Sequence, residues 1–139
     1  MMSYDSTNIF AKILRGEIPA HKIYENEHAL AFMDVMPMVD GHCLVMPKAA
    51  SRGLLDADPT VLAQVMPVVQ KVSKAAVAAM NADGFQLRQY NEAAAGQSVF
   101  HLHFHILPIK DGIALRSHTG KMADPAMLAA QAQKIRAAL

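Results

Sequence analysis

Tryptophan is absent from this chain, and three tyrosines and five phenylalanines are its only large aromatic residues. A single cysteine, Cys43, excludes an internal disulfide and points to a reducing compartment, with buried packing as its expected role. Neither sign of charge dominates: 13 Lys and Arg face 12 Asp and Glu, and the basic residues do not cluster. That gives no footprint for nucleic acid. No apolar run approaches the roughly 18–20 residues that a membrane span needs. The first ten residues are polar and lack the apolar core of a signal peptide. Disorder is excluded as well, because 53% of the residues are apolar and only 18% are charged. Alanine supplies 24 of those apolar positions, so the core is thinner than the percentage implies. At 139 residues the expectation is one domain over 1–139, cytoplasmic and without a membrane partner.

The order of local signals sets the fold class. Ser6, Thr7 and Asn8 offer helix N-caps ahead of Ile9, Phe10, Ile13 and Leu14, and Gly16 closes that short helix. Strands are expected at 21–25, 28–34 and 42–47, the second carrying Leu30, Phe32 and Asp34 on one face. Asp58-Pro59 is a cap followed by proline at the first helical position. The helix it opens runs to about residue 81, with an apolar stripe of Leu62, Val65, Met66, Val69, Val72, Ala76 and Met80. Pro67 inside that stripe costs a hydrogen bond and predicts a kink. Strands at 85–91 and 99–108 follow, and Asp124-Pro125 opens a terminal helix. Without strict βαβ alternation, this reads as α+β: an antiparallel sheet of five strands with helices on one side.

The chemistry concentrates in Gly96-Gln97-Ser98-Val99-Phe100-His101-Leu102-His103-Phe104-His105. On a strand, alternation puts His101, His103 and His105 on one face, while Phe100, Leu102, Phe104 and Ile106 turn to the core. A solvated polar face is the bland reading, and three histidines in register argue against it. Spacing alone leaves a zinc site and a nucleophile with neighbouring acids equally open. The preceding loop tips the balance. Backbone amides of Gly96 and Gln97 and the Ser98 hydroxyl stand where the imidazoles begin, which suits a phosphate.

The His101-x-His103-x-His105 pattern with Ile106-Leu107-Pro108, and the lead-in Asn91…Gly96-Gln97-Ser98, resemble the histidine triad (HIT) superfamily. Upstream, Ile9-Phe10-Ala11-Lys12-Ile13, Gly16-Glu17-Ile18-Pro19, Ala31-Phe32-Met33-Asp34 and the run from Gly41 to Lys48 resemble it in the same order. The likeness covers about residues 5–110 and is closest to the Hint-like branch, leaving 111–139 as a tail with its helix. It implies a HIT-like fold and a homodimer in which two sheets join as one ten-stranded sheet.

The resemblance also implies roles. His103 would be the nucleophile that takes a nucleoside monophosphate. His105 and Ser98 would contact the phosphate and leaving group, and Asn91, Gly96 and Gln97 would approach the phosphate. His101 and His42 would support the imidazoles, and Asp34 would bind the ribose hydroxyls. Ile9, Phe10, Ile13, Phe32 and Val35 would form an apolar slot for a purine base, discriminating adenine from guanine poorly. The implied activity is that of a nucleoside phosphoramidate hydrolase releasing AMP or GMP. A dinucleoside polyphosphate hydrolase of the Fhit type and a non-catalytic purine mononucleotide-binding module are the alternatives. No cofactor is implied. His21, His28 and His118 match no motif and are expected on the surface, as are Arg116 and Lys121 in a solvated tail. Many bacterial relatives hold a structural zinc with two cysteines, a histidine and the first triad histidine. Here those positions read Asn8, Ala11, Ala50 and His101, so no metal is expected.

Overall fold

The computed structural model describes residues 3–118 and 121–139. Its elements follow the expected order: α1 (Ile9–Leu14), β1 (Lys22–Glu25), β2 (Ala29–Met33), β3 (Cys43–Pro47), α2 (Pro59–Ala79), β4 (Gly84–Arg88), β5 (Phe104–Ile109) and α3 (Pro125–Ala137). The five strands form one sheet in the order β1-β2-β3-β5-β4, and every neighbouring pair is antiparallel. Each helix starts as its cap dictates. Asn8, Asp58 and Asp124 accept the amide protons of Ala11, Thr60 and Ala126, and proline occupies the first helical position of α2 and α3.

Strand alternation divides the apolar residues between two faces. Ala29, Ala31, Met33, Cys43, Val45, Phe104 and Ile106 pack against α2 and α3. Leu30, Phe32, Leu44 and Met46 point the other way and pack against Phe10 and Ile13 of α1. The two long helices share one face, and the short α1 closes the other, which is the face of the site. Val65, Val68, Val69, Val72 and Ala76 form the buried stripe of α2, and burying each valine contributes about 1.5–3 kcal/mol. Cys43 is fully buried, and burial pushes its thiol up to about 12.

Two differences from the sequence expectation have physical causes. Met66 is 41% exposed rather than part of the stripe, because it lies one residue, about 100°, from Val65 on the helix. Residues 99–103 stay outside β5. Pairing with β3 ends at Val45–Phe104; beyond it the Pro47 carbonyl takes the His101 side chain, and the Leu102 amide donates to Ser51.

Candidate active site

His103 immediately precedes β5 and His105 is its second residue; their ring centroids lie 5.0 Å apart where two cavities meet. Ser98 and His118 line both cavities with them. The larger, about 400 Å³, is an apolar slot between α1 and the sheet. Its walls include all five expected residues, Ile9, Phe10, Ile13, Phe32 and Val35, and Asp34 lines it as well. The Phe10 ring stands edge-on to Phe32 and to His103, at 5.2 and 4.8 Å between centroids. The second cavity, about 270 Å³, runs past Gly96, Gln97 and Ser98 to Tyr90, Leu107 and Arg88.

His101 does not line either cavity, so the open row holds two imidazoles and not three. It is fully buried. Its Nε2–H donates to the Pro47 carbonyl at 2.8 Å, and its Nδ1 accepts from the Tyr4 hydroxyl at 2.7 Å. The His103 Nδ1–H in turn donates to the His101 carbonyl at 2.6 Å. A carbonyl only accepts, so the proton of neutral His103 must lie on Nδ1 and the lone pair on Nε2. Nε2 has no protein partner among the described residues, and a nucleophile needs that tautomer.

A second chain of bonds sets His105. The Met38 amide donates to His42 Nδ1 at 3.0 Å, so neutral His42 carries its proton on Nε2 and donates to His105 Nδ1, also at 3.0 Å. His105 is left with its N–H on Nε2, a donor. Burial, opposed by Asp34, lowers His42 to about 4. Burial and then the neighbouring His103 and His42 lower His105 to about 3. Burial lowers His101 and His103 too, so all four imidazoles are neutral in the empty site near pH 7.

Asp34 is 5% exposed and gathers this network. One carboxylate oxygen accepts the Met36 amide; the other lies 3.4 Å from His42 Nε2 and 2.9 Å from His118 Nε2. Burial alone would raise the carboxyl, but His42, His118 and the Met36 amide outweigh it and hold Asp34 below the usual carboxylate range. His118 is therefore not a free surface residue: it is half-buried, with its ring tied to Asp34. The tail carries it across the site, tied by the Arg116 amide to the Met38 carbonyl and by the Ala123 amide to the Val35 carbonyl. Arg116 itself stays at the surface with Asp40, and Lys121 is exposed. No local signal marks His118 or Tyr4 in the sequence, since both act on partners far along the chain.

The loop before the histidines is held by side chains expected on the ligand. Gln97 is buried and donates to the Arg52 and Val99 carbonyls, while its oxygen accepts the Glu92 amide. Asn91 bonds Gln89 and the Leu54 amide and lines neither cavity. Both residues shape the loop; Gly96, Gln97 and the exposed Ser98 are what it presents to the second cavity. Glu92 takes φ 73°, ψ 156°, a region nearly reserved for glycine, and Arg52 grips its carboxylate with two bonds of 2.7 and 2.8 Å.

Among the described residues, Asp34, His42 and His105 are the group that could hold a metal ion, their ligand atoms lying within 4.8 Å of one another. The positions of the relatives' structural zinc do not fit that ion. Ala11 and Ala50 offer no ligand, Asn8 caps α1, and both ring nitrogens of His101 are engaged.

The family model of the HIT domain matches residues 15–112. This chain belongs to the HIT family. A Hit-like protein involved in cell-cycle regulation from Bartonella henselae superposes with a TM-score of 0.92 at 50% identity, over 99% of this chain and 100% of that one. The adenylylsulfatase HINT3 of Arabidopsis thaliana is 39% identical over 120 residues, 82% of this chain and 61% of that protein. The adenosine 5'-monophosphoramidase HNT1 of Saccharomyces cerevisiae is 36% identical over 107 residues, 77% of this chain and 65% of that protein. The HIT chain described here thus spans under two thirds of the length of either enzyme. No helix among its described residues is long and apolar enough to cross a membrane.

Proposed function

We propose that this HIT protein is a purine nucleotide hydrolase that attacks the α-phosphorus through His103, with nucleoside phosphoramidates releasing AMP or GMP as its substrates. The observation that carries this reading is the tautomer of His103: Nδ1–H tied to the His101 carbonyl, Nε2 bare at the junction of the two cavities. The names of the yeast and Arabidopsis relatives support the same class of reaction. The base lies in the apolar slot, the ribose hydroxyls reach Asp34 once His118 gives way, and the phosphate meets Ser98 and His105.

The chemistry divides one slow displacement into two easier ones. His103 Nε2 bonds phosphorus as the P–N bond breaks, and the departing nitrogen takes a proton from His105. Water then attacks phosphorus, the bond to Nε2 breaks, and the water's proton returns to His105. Cycle and charge balance if His105 is protonated when substrate is bound. The anionic phosphate supplies the opposite charge that the empty site lacks. Asp34, 3.4 Å from His42 Nε2, can then take over the His42 N–H. Donors from Ser98 and the loop stabilise charge on the phosphoryl oxygens, each contact worth about 3–4 kcal/mol. No step requires a metal.

The test is AMP release from adenosine 5'-phosphoramidate and from a diadenosine polyphosphate. Wild type is expected to act on the first, in the presence of EDTA as well. His103→Ala is expected to lose about 10³-fold or more in turnover while still binding AMP. Near-wild-type activity in His103→Ala, or loss in EDTA reversed by zinc, would falsify the nucleophile assignment.

The active form in this proposal is a homodimer. β4 is a sheet edge whose Phe85 and Leu87 are 46% and 45% exposed, beside Met66 and Pro67 of α2 across an open groove. A second copy pairing there would continue the sheet and cover those side chains.

A further inference from the structure

We propose that the second cavity is a leaving-group subsite in which Arg88 selects substrates whose departing group carries a negative charge. This rests on the hydrolase reading above. If the nucleoside fills the apolar slot, phosphorus lies at the junction formed by Ser98, His103, His105 and His118. Displacement by His103 expels the leaving group into the space that remains, which is the second cavity. Its volume, about 270 Å³, is many times the roughly 30 Å³ of one water, so it takes a group much larger than ammonia.

What lines that space decides which group. Arg88 stands opposite His105 in the β4–β5 ladder and so shares its face of the sheet, as Gln86 does opposite Leu107. Tyr90 lies edge-on to His105 and against Gly96, forming an aromatic wall. Among the described residues, no carboxylate lines the cavity. The Arg88 guanidinium is half-buried and meets the Gln86 amide oxygen at 3.0 Å and the Met38 sulfur at 4.0 Å. Among the described residues it forms no ion pair, whereas Arg15, Arg52 and Arg116 pair with Glu17, Glu92 and Asp40. Its charge reaches the site, because it helps to hold His42 neutral after burial has done most of that work. A guanidinium without a counter-ion, its planar fork steadied by a neutral oxygen, is suited to a carboxylate or similar oxyanion. A cationic amine would be repelled and a neutral one left indifferent.

Two ligands that differ only in that charge make the test: AMP joined through nitrogen to glycine, and AMP joined to glycinamide. Wild-type kcat/KM is expected to favour the glycine compound at least tenfold, a comparison that needs no variant. In Arg88→Gln the ratio should fall to within about threefold of unity, and Arg88→Lys should retain part of it. Affinities of both compounds for His103→Ala, measured by calorimetry, give the same comparison without turnover. A wild-type ratio near unity, or a ratio unmoved in Arg88→Gln, overturns the subsite. If wild type releases no AMP from either compound while His103→Ala still prefers the glycine one, the hydrolase reading falls and the subsite stands.

Discussion

His118 shows how a single tail residue can set the empty state of the site. Its Nε2–H occupies the carboxylate oxygen of Asp34 that, in the proposed complex, a ribose hydroxyl would take. Nucleotide must displace that bond before it gains its own, so part of the binding energy is spent on the exchange. His118→Ala is therefore expected to bind AMP several-fold more tightly in calorimetry. Equal or weaker binding would show that His118 does not compete with the sugar. The buried imidazoles make a second prediction. His42 and His105 titrate near 4 and 3 when folded, against about 6.5 when unfolded. Above pH 6.5 both states hold them neutral and stability is full. As pH falls below 6.5 only the unfolded chain gains protons, so stability drops until the folded groups titrate near 4 and below. With two such groups the slope is about 2–3 kcal/mol per pH unit around pH 5, readable from urea unfolding at pH 7, 6, 5 and 4.5.

At the level of elements, the loop between β4 and β5 is held against its own backbone preference. Glu92 sits at positive φ, and the Arg52 ion pair together with the Gln97 bond to its amide keeps it there. Both Glu92→Ala and Glu92→Gly remove the ion pair, but only glycine relieves the backbone. Glu92→Gly should be the more stable of the two by about 1–2 kcal/mol in chemical denaturation. If alanine proved as stable as glycine, the loop would not be strained at this position. Loosening the loop also displaces Ser98, so both variants should raise KM. Part of this element was readable in advance: Gly96, Gln97 and Ser98 were expected at the head of the histidines, and they line the second cavity there. The duty of Asn91 and Gln97 was not, because an amide side chain suits a ligand and a neighbouring backbone equally well.

Over the whole molecule the sheet has one covered flank and one open edge. The Arg136 guanidinium reaches the Lys22 carbonyl of β1, and α3 packs beside that strand. Among the described residues β4 has no such cover, and its exposed Phe85 and Leu87 lie beside the exposed Met66 of α2. An uncovered apolar edge is an association site or a liability. Light scattering at micromolar concentration should give twice the chain mass of 15.1 kDa. Leu87→Lys, which puts a charge on the edge without touching the core, should give a monomer. A wild-type monomer would count against the dimer.

Local signals set the order of elements, the three helix caps and the two faces of β2, because cap donors, proline positions and alternation along a strand act within a few residues. The sequence pointed to the five walls of the apolar slot only through its family resemblance. It also marked His103 and His105 through their spacing and family resemblance, although alternation wrongly set His101 beside them. Packing alone turns His101 inward to Tyr4 and Pro47, closes His118 on Asp34, and sets Arg88 on the second cavity with no ion pair among the described residues. The Tyr4–His101 and His118–Asp34 bonds join residues 97 and 84 positions apart. Such pairings depend on where packing brings distant backbone together, and no local periodicity encodes that.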